Sequence, residues 1–334
     1  MSYTIFNTHI YGNTMKKTLV LLIAALLAPI SSFASNTEPI ISVSQFVDHP
    51  ALNAVLQGFQ DDLKENSIAA DYKVYNAHGN MATAGQVATQ IVSDSPDLIL
   101  AIATPTAQAC AKIYEKNPQL ADTPMVFTAI TDPLAAGLVS NYEHPGKSIT
   151  GVSNRLPMDK HMEMVLRFVP GLKKLGVLYN AGEVNSVSNV KRIKTAATEL
   201  GFKIVDAPVT NTADVYQAIQ SLVGKVDAVY VPTDNTVISA LESVIKVCER
   251  VKLPLFTADT DSVKRGAIAA MGFDYYLHGK QTGALARRIL AGEKPGEISV
   301  EFQKELSFHI NPEAGKRMGL DISKEILDTA DTLH

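Results

Sequence analysis

Tryptophan is missing from the 334 residues, and cysteine appears only twice. The absence of tryptophan removes the ring that most often stacks on sugars. The two cysteines, Cys110 and Cys248, fall on separate expected helices in separate halves of the chain, so they read as small buried apolar side chains and not as a disulfide framework. Positive charge is also short. Lys and Arg number 30 against 34 Asp and Glu, and without Lys16 and Lys17 the balance is 28 against 34, a net of -6. Nothing in that balance favours a nucleic-acid partner.

The signatures of several chemistries are absent as well. No Gly-x-Gly-x-x-Gly follows the first expected strand and no Gly-x-x-x-x-Gly-Lys-Ser/Thr occurs, so the turns that cradle nucleotide phosphates are lacking. His49, His78, His144, His161, His278, His309 and His334 are scattered without metal-ligand spacing. Ser and Cys nucleophile motifs are missing too. The expectation is therefore a protein with no metal, no cofactor and no catalytic residue.

What is present begins with Met15–Ala34, which has a basic start, an apolar core of about a dozen residues and a Ser-Phe-Ala end, the layout of a secretory signal. The run is short for the roughly 20 residues of a spanning helix, and no cysteine follows it to carry a lipid. Residues 1–34 are accordingly expected to be an upstream extension and a signal peptide cleaved after Ala34, which predicts a soluble periplasmic protein. The remaining 300 residues suit two domains better than one core.

From Ile40 onward short β-branched runs alternate with helical periodicity. Asp97–Ala103 is apolar almost throughout, as a parallel strand covered on both faces should be. The pattern predicts an α/β fold of two doubly wound parallel-sheet lobes. The expected division is 35–150 plus about 271–296 for the N-terminal lobe and 151–270 plus about 297–334 for the C-terminal lobe.

Ligands of open parallel sheets sit outside the carboxyl ends of the strands. Here those ends carry Ser44-Gln45-Phe46, Thr104-Pro105-Thr106, Thr128 to Asp132, Tyr179 to Ser186, Pro232 to Asn235 and Thr257-Ala258-Asp259. The turn at 179–189 opens a helix on Asn185 and Ser186, whose free N–H groups suit an anion. Asp132, Asp234 and Asp259 are candidates for one cleft, where several carboxylates call for a cation. Both polarities together describe a zwitterionic amino acid. Phe46, Phe127 and Tyr179 are candidate apolar lining.

Several segments together resemble a known family: Ser44 to Leu52, Phe127 to Val139, Ile149 to Ser153, Gly182 to Ser186, Tyr230 to Asn235 and Gly272 to Gly279. The chain is similar to the periplasmic substrate-binding proteins of ABC importers, in the family that includes tryptophan- and tyrosine-binding members. That resemblance implies a type I periplasmic-binding fold with a three-crossover hinge, closing on an aromatic amino acid that is delivered to a membrane ABC permease. By position it implies that Glu183, Asn185 and Ser186 hold the carboxylate and Asp234 and Asp259 the ammonium. Gln45, Thr104, Thr128 and Asp132 would complete the cleft, and a monomer is expected. The rival readings are a sensory module for a chemoreceptor or kinase, and a racemase-like enzyme, which would need cysteines facing each other across the cleft.

Overall fold

The chain alternates strand and helix from Ile40 to its end. Its first half runs β1 (Ile40–Gln45), α1 (Pro50–Glu65), β2 (Asp71–Asn76), α2 (Met81–Asp94), β3 (Leu98–Ile102), α3 (Thr104–Tyr114), β4 (Met125–Ile130) and β5 (Ile149–Ser153). The second runs α4 (Met158–Phe168), β6 (Lys174–Asn180), α5 (Val184–Leu200), β7 (Lys203–Val209), α6 (Val215–Leu222), β8 (Ala228–Val231), α7 (Asn235–Ser239), α8 (Leu241–Val251), β9 (Leu255–Thr257), α9 (Asp261–Arg265) and β10 (Ala269–Gly272). A closing stretch adds α10 (Tyr275–Leu290), β11 (Glu301–Phe302), β12 (Ser307–Ile310), α11 (Pro312–Arg317), α12 (Lys324–Leu327) and β13 (Thr332–Leu333). This computed structural model describes residues 1–4, 38–114 and 116–334. The expected signal peptide and its cleavage after Ala34 lie outside the described residues.

Local sequence sets the element ends. Helix α1 starts where Pro50 occupies the first turn, which needs no N–H, and His49 caps it by accepting from Leu52 N. Helix α5 stops at Gly201, whose φ of 82° is the left-handed conformation that glycine adopts without a Cβ clash.

The strands form two sheets. The first is ordered β11-β5-β4-β3-β1-β2 and the second β13-β12-β10-β9-β8-β6-β7. Every pairing is parallel except that of β10 with β12. All five residues of β3 are buried, as helices on both faces require. In each sheet the order of strands reverses once, between β1 and β3 and between β6 and β8. Those reversals open crevices at the carboxyl ends of the strands.

Three segments pass between the sheets: 154–157 after β5, 273–274 after β10 and 303–306 between β11 and β12. The expected boundaries need correction at two of them. Residues 151–153 continue β5 and stay in the first sheet, and the last crossing comes after residue 302, not near 296. Glu301 and Phe302 pair with Val152 and Ser153, and Thr150 Oγ1 donates to Ile298 O at 2.9 Å. Glu301 and Phe302, expected in the second lobe, thus form an edge strand of the first.

Helix α10 belongs to the first lobe, although it follows β10 of the second. It lies directly on α1, with Gly58 against Tyr276 O and Gly279 against Val55 O. Arg287 Nε to Asp62 Oδ2 at 2.8 Å ties the same pair of helices at their far end.

Candidate functional site

The second lobe brings its polar groups together at the β6/β8 reversal. Asp234 caps α7 by accepting from Val237 N at 2.7 Å, while its other oxygen accepts from Asn180 N at 2.5 Å and Ser186 Oγ at 2.6 Å. Glu183 reaches over from the start of α5 and accepts from the backbone N–H groups of Asn235 and Thr236, at 3.2 and 3.0 Å, and from both of their side chains. Burial pushes the Asp234 carboxyl up to about 7, and the charge of Glu183 adds to the effect. Among the described residues the Asp259 carboxylate accepts only from Ser262, through its N at 2.9 Å and its Oγ at 2.7 Å. Burial raises its pKa as well. Asn185 Nδ2 donates to Thr233 O at 2.9 Å, and its Oδ1 is buried without a partner among the described residues.

The first lobe answers with two strained strand ends. Ala103 after β3 has φ 81° and Ala129 in β4 has φ 56°, left-handed values that cost a non-glycine residue of order 1–3 kcal/mol. Ala129 is also the extra residue of a bulge, since the β4–β5 register shifts between Thr128 and Ile130. Bulges of this kind re-aim strand ends beside binding sites.

Between the lobes lies a cavity of about 30 Å³. The first lobe and the crossovers line it with His49, Leu52, Ala129, Thr131, Asn154 and Tyr275, the second with Asn185, Thr233, Asp234, Asn235, Ile238 and Asp259. Among the described residues two hydrogen bonds cross the gap directly: Thr131 Oγ1 with Thr233 Oγ1 at 3.1 Å, and Ser188 Oγ to Asp132 Oδ2 at 2.8 Å. A drug-sized ligand fills a pocket of roughly 300 Å³ or more, so a ligand of that size does not fit the gap as the lobes stand here.

The geometry sorts the residues expected from sequence. Asn185, Asp234 and Asp259 line the cavity together. Glu183 does not, because its carboxylate is already taken by five donors, counting Asn185 Nδ2 at 3.1 Å. Ser186 supports Asp234, and Asn185 Oδ1 is left without a partner among the described residues. Asp132 serves the closing bond to Ser188 and caps its own turn by accepting from Ala135 N at 3.1 Å. Gln45 binds Val47 O and Asn53, and Thr128 pairs with Thr282 at 2.8 Å. Thr104 begins α3 with its hydroxyl buried and unpartnered, outside the cavity wall.

The expected apolar lining is placed elsewhere. Phe46 and Phe127 are core residues, with Phe127 pressed on Gly151, and Tyr179 packs on the core of the second lobe. Leu52, Ile238 and the Tyr275 ring supply the apolar wall instead. Sequence reasoning missed His49, Asn154, Thr233 and Tyr275. All four sit within two residues of a strand end or helix start, the signal that could have found them. Cys110 and Cys248 are free and buried, each thiol pushed up to about 12 by burial, and neither lines the cavity.

Buried titratable groups give a signed pH dependence. His49, His161 and His278 are each pushed down to about 4, chiefly by burial. A histidine held neutral in the fold stabilises it above its unfolded value near 6.5, and the contribution is lost as pH falls toward about 4. Asp234 and Asp259 act in the opposite sense, because the folded state holds a proton that the unfolded chain has released, so their contribution grows as pH falls. Three histidines outweigh two aspartates. The melting temperature is expected to drop between about pH 6.5 and 4.5, more steeply in Asp234→Asn; pH-independent melting over that range would contradict the assignment.

Comparison with known proteins supplies a frame for this geometry. A family model, that of ABC transporter substrate binding proteins, matches residues 40–334. A tyrosine-binding protein from Clostridioides difficile (strain R20291) is 38% identical over 296 residues, 87% of this chain and 83% of that protein. A crystal structure of an ABC domain in complex with L-Trp from Streptococcus pneumonia is 30% identical and superposes with a TM-score of 0.84, covering 89% of this chain and 100% of that one. The ligand-free, open structure of a substrate binding protein with adhesive properties from Clostridium difficile is 36% identical, with coverage of 89% and 99%, yet its TM-score is 0.66. The ligand-free, open structure superposes on this chain less well than the L-Trp complex does. Here two hydrogen bonds, Thr131 with Thr233 and Ser188 with Asp132, join the lobes.

Proposed function

The chain belongs to the family of ABC transporter substrate binding proteins, and from that premise we propose that it holds an aromatic amino acid between its lobes and delivers it to a membrane permease. The observation that carries this reading is that Asp234, Asp259 and Asn185, whose Oδ1 is buried without a partner among the described residues, line one cavity from the second lobe. Acceptors clustered in a buried site favour a cation with several hydrogens, and an ammonium group supplies three. The ligand's carboxylate then falls to the first-lobe side of the cavity, which His49, Ala129 and Thr131 line. Leu52, Ile238 and the Tyr275 ring give the apolar wall for the side chain.

The relatives support the aromatic choice, one being a tyrosine-binding protein and another a complex with L-Trp. The signal-like segment Met15–Ala34 and the family support a periplasmic place of work. Among the described residues no helix is long and apolar enough to cross a membrane.

Calorimetric titration tests the reading. L-Tyrosine, L-tryptophan and L-phenylalanine are expected to bind, with at least one raising stability by about 2.7 kcal/mol at a hundredfold excess over its Kd. N-Acetyl-L-tyrosine, which lacks the ammonium, and tyramine, which lacks the carboxylate, should each bind at least about tenfold more weakly than tyrosine, the loss of one charge-assisted hydrogen bond. Binding of sugars with no response to any amino acid would overturn it.

A further inference from the structure

We infer that the first turn of α10 couples occupancy of the cavity to the angle between the lobes, with His278 as its positioning residue. The inference rests on the reading that the cavity between the lobes holds the ligand. It starts from a cost. A fully buried imidazole needs partners for both ring nitrogens, and His278 has them. Nε2 accepts from Ala129 N at 3.2 Å, and Nδ1 meets Gln303 Oε1 at 3.0 Å. The first bond fixes the tautomer, because an Nε2 that accepts leaves the proton on Nδ1, which donates to Gln303.

The two partners belong to different parts of the machine. Ala129 is the strained bulge residue of β4 that lines the cavity. Gln303 is the first residue of the third crossover, and its Nε2 donates to Asp274 O in the second crossover at 3.4 Å. One helical turn earlier on the same face, Tyr275 also lines the cavity, and its hydroxyl accepts from Asn154 Nδ2, in the first crossover, at 3.1 Å. The two rings stand 6.1 Å apart. Asn154 Oδ1 in turn accepts from Thr131 Oγ1 at 3.2 Å, and Thr131 makes one of the two bonds across the gap. The first turn of α10 is therefore the point where the cleft floor meets all three crossovers.

That junction has a mechanical consequence. A ligand pressing on Ala129 or Tyr275 displaces the same turn that holds the crossovers, and α10 is itself seated on α1 by glycine contacts that leave it no slack. A change at the floor is passed to the hinge instead of being absorbed locally. An apolar residue at position 278 would fill the space, but it would free the Ala129 N–H and release Gln303.

Inter-lobe distance reports this directly. One dye is placed on Gln86→Cys in α2 of the first lobe and one on Lys225→Cys in the second, both exposed sites; Cys110 and Cys248 are buried and stay unlabelled. With saturating L-tyrosine or L-tryptophan the native sequence should show a single shortened distance. His278→Phe, which keeps the ring and loses both hydrogen bonds, is expected to show less than half that change at saturation, and Gln303→Leu, which cuts only the crossover leg, a partial loss. His278→Gln, whose amide can both accept and donate, should recover most of it. Full closure of Gln303→Leu and of folded His278→Phe at saturation would overturn the inference and leave His278 a packing residue. Calorimetric binding without any distance change in the native sequence would also overturn it, while leaving the ligand assignment standing. If no aromatic amino acid binds even the native sequence, the ligand assignment falls and the inference falls with it.

Discussion

Asp259→Asn is expected to weaken the binding of an aromatic amino acid by roughly tenfold to a hundredfold, the value of one or two hydrogen bonds to a charged group at about 1.5–3 kcal/mol. Two aspartates line the cavity, and their existing bonds distinguish them. Asp234 accepts three donors from Asn180, Ser186 and Val237. Asp259 accepts two, both from Ser262. A carboxylate has about four acceptor positions, so Asp259 keeps the greater capacity for a ligand ammonium. Its neighbours also make it the cleaner test. Removing Asp234 uncaps α7 and strands Asn180 N, changes that cost stability of about 1 kcal/mol each apart from any ligand. Asparagine at 259 keeps the shape and an oxygen for Ser262 N while removing the charge. Calorimetry with L-tyrosine and L-tryptophan, beside thermal unfolding of the unliganded protein, separates the two effects. Unchanged affinity for both ligands would remove Asp259 from the ammonium site.

The pair also shows what the sequence could and could not tell. Aspartate after a strand and before a helix is a cap or a ligand contact, and Asp234 proves to be a cap that also faces the cavity. Glu183 is another matter. Its side chain leaves its own helix uncapped and crosses to the N–H groups of Asn235 and Thr236, more than 50 residues away in sequence. No local spacing encodes such a partner. The same limit explains Phe46, just past the end of β1, and Phe127, inside β4, both of which point into the core. The alternation of apolar runs was legible because burial on both faces of a sheet leaves a continuous apolar stretch, as in Leu98–Ile102. The last crossing was not, because Glu301–Phe302 is a two-residue strand held by one edge pairing and carries no periodicity of its own. His278 was seen only as a scattered histidine, since the residues that satisfy it lie 149 and 25 positions away.

Helix α10 makes the largest expected effect on stability, and it arises from atoms that are absent. A Cβ at Gly279 would overlap Val55 O, one at Gly58 would overlap Tyr276 O, and one at Gly283 would lie 2.6 Å from Asp62 Cβ. Two of these obstacles are backbone atoms of a facing helix, which cannot rotate aside as a side chain can. Gly279→Ala must therefore push α1 and α10 apart, and overpacking of this kind costs about 1–3 kcal/mol and sometimes more. The helix-propensity gain of alanine over glycine, about 1 kcal/mol, does not offset it. At roughly 2–4 °C per kcal/mol for a domain of this order of size, the melting temperature should fall by several degrees. Gly279→Val adds two methyl groups at the same contact and is expected to prevent folding. Gly85 in α2 is the matching control, since nothing lies within 4 Å of its Cβ position, and Gly85→Ala should stabilise by roughly 0.5–1 kcal/mol. Equal melting temperatures for Gly279→Ala and Gly85→Ala would show that the two helices can separate freely. That result would also weaken the coupling assigned to α10, because a helix that slides on α1 cannot carry the position of Tyr275 and His278 to the hinge.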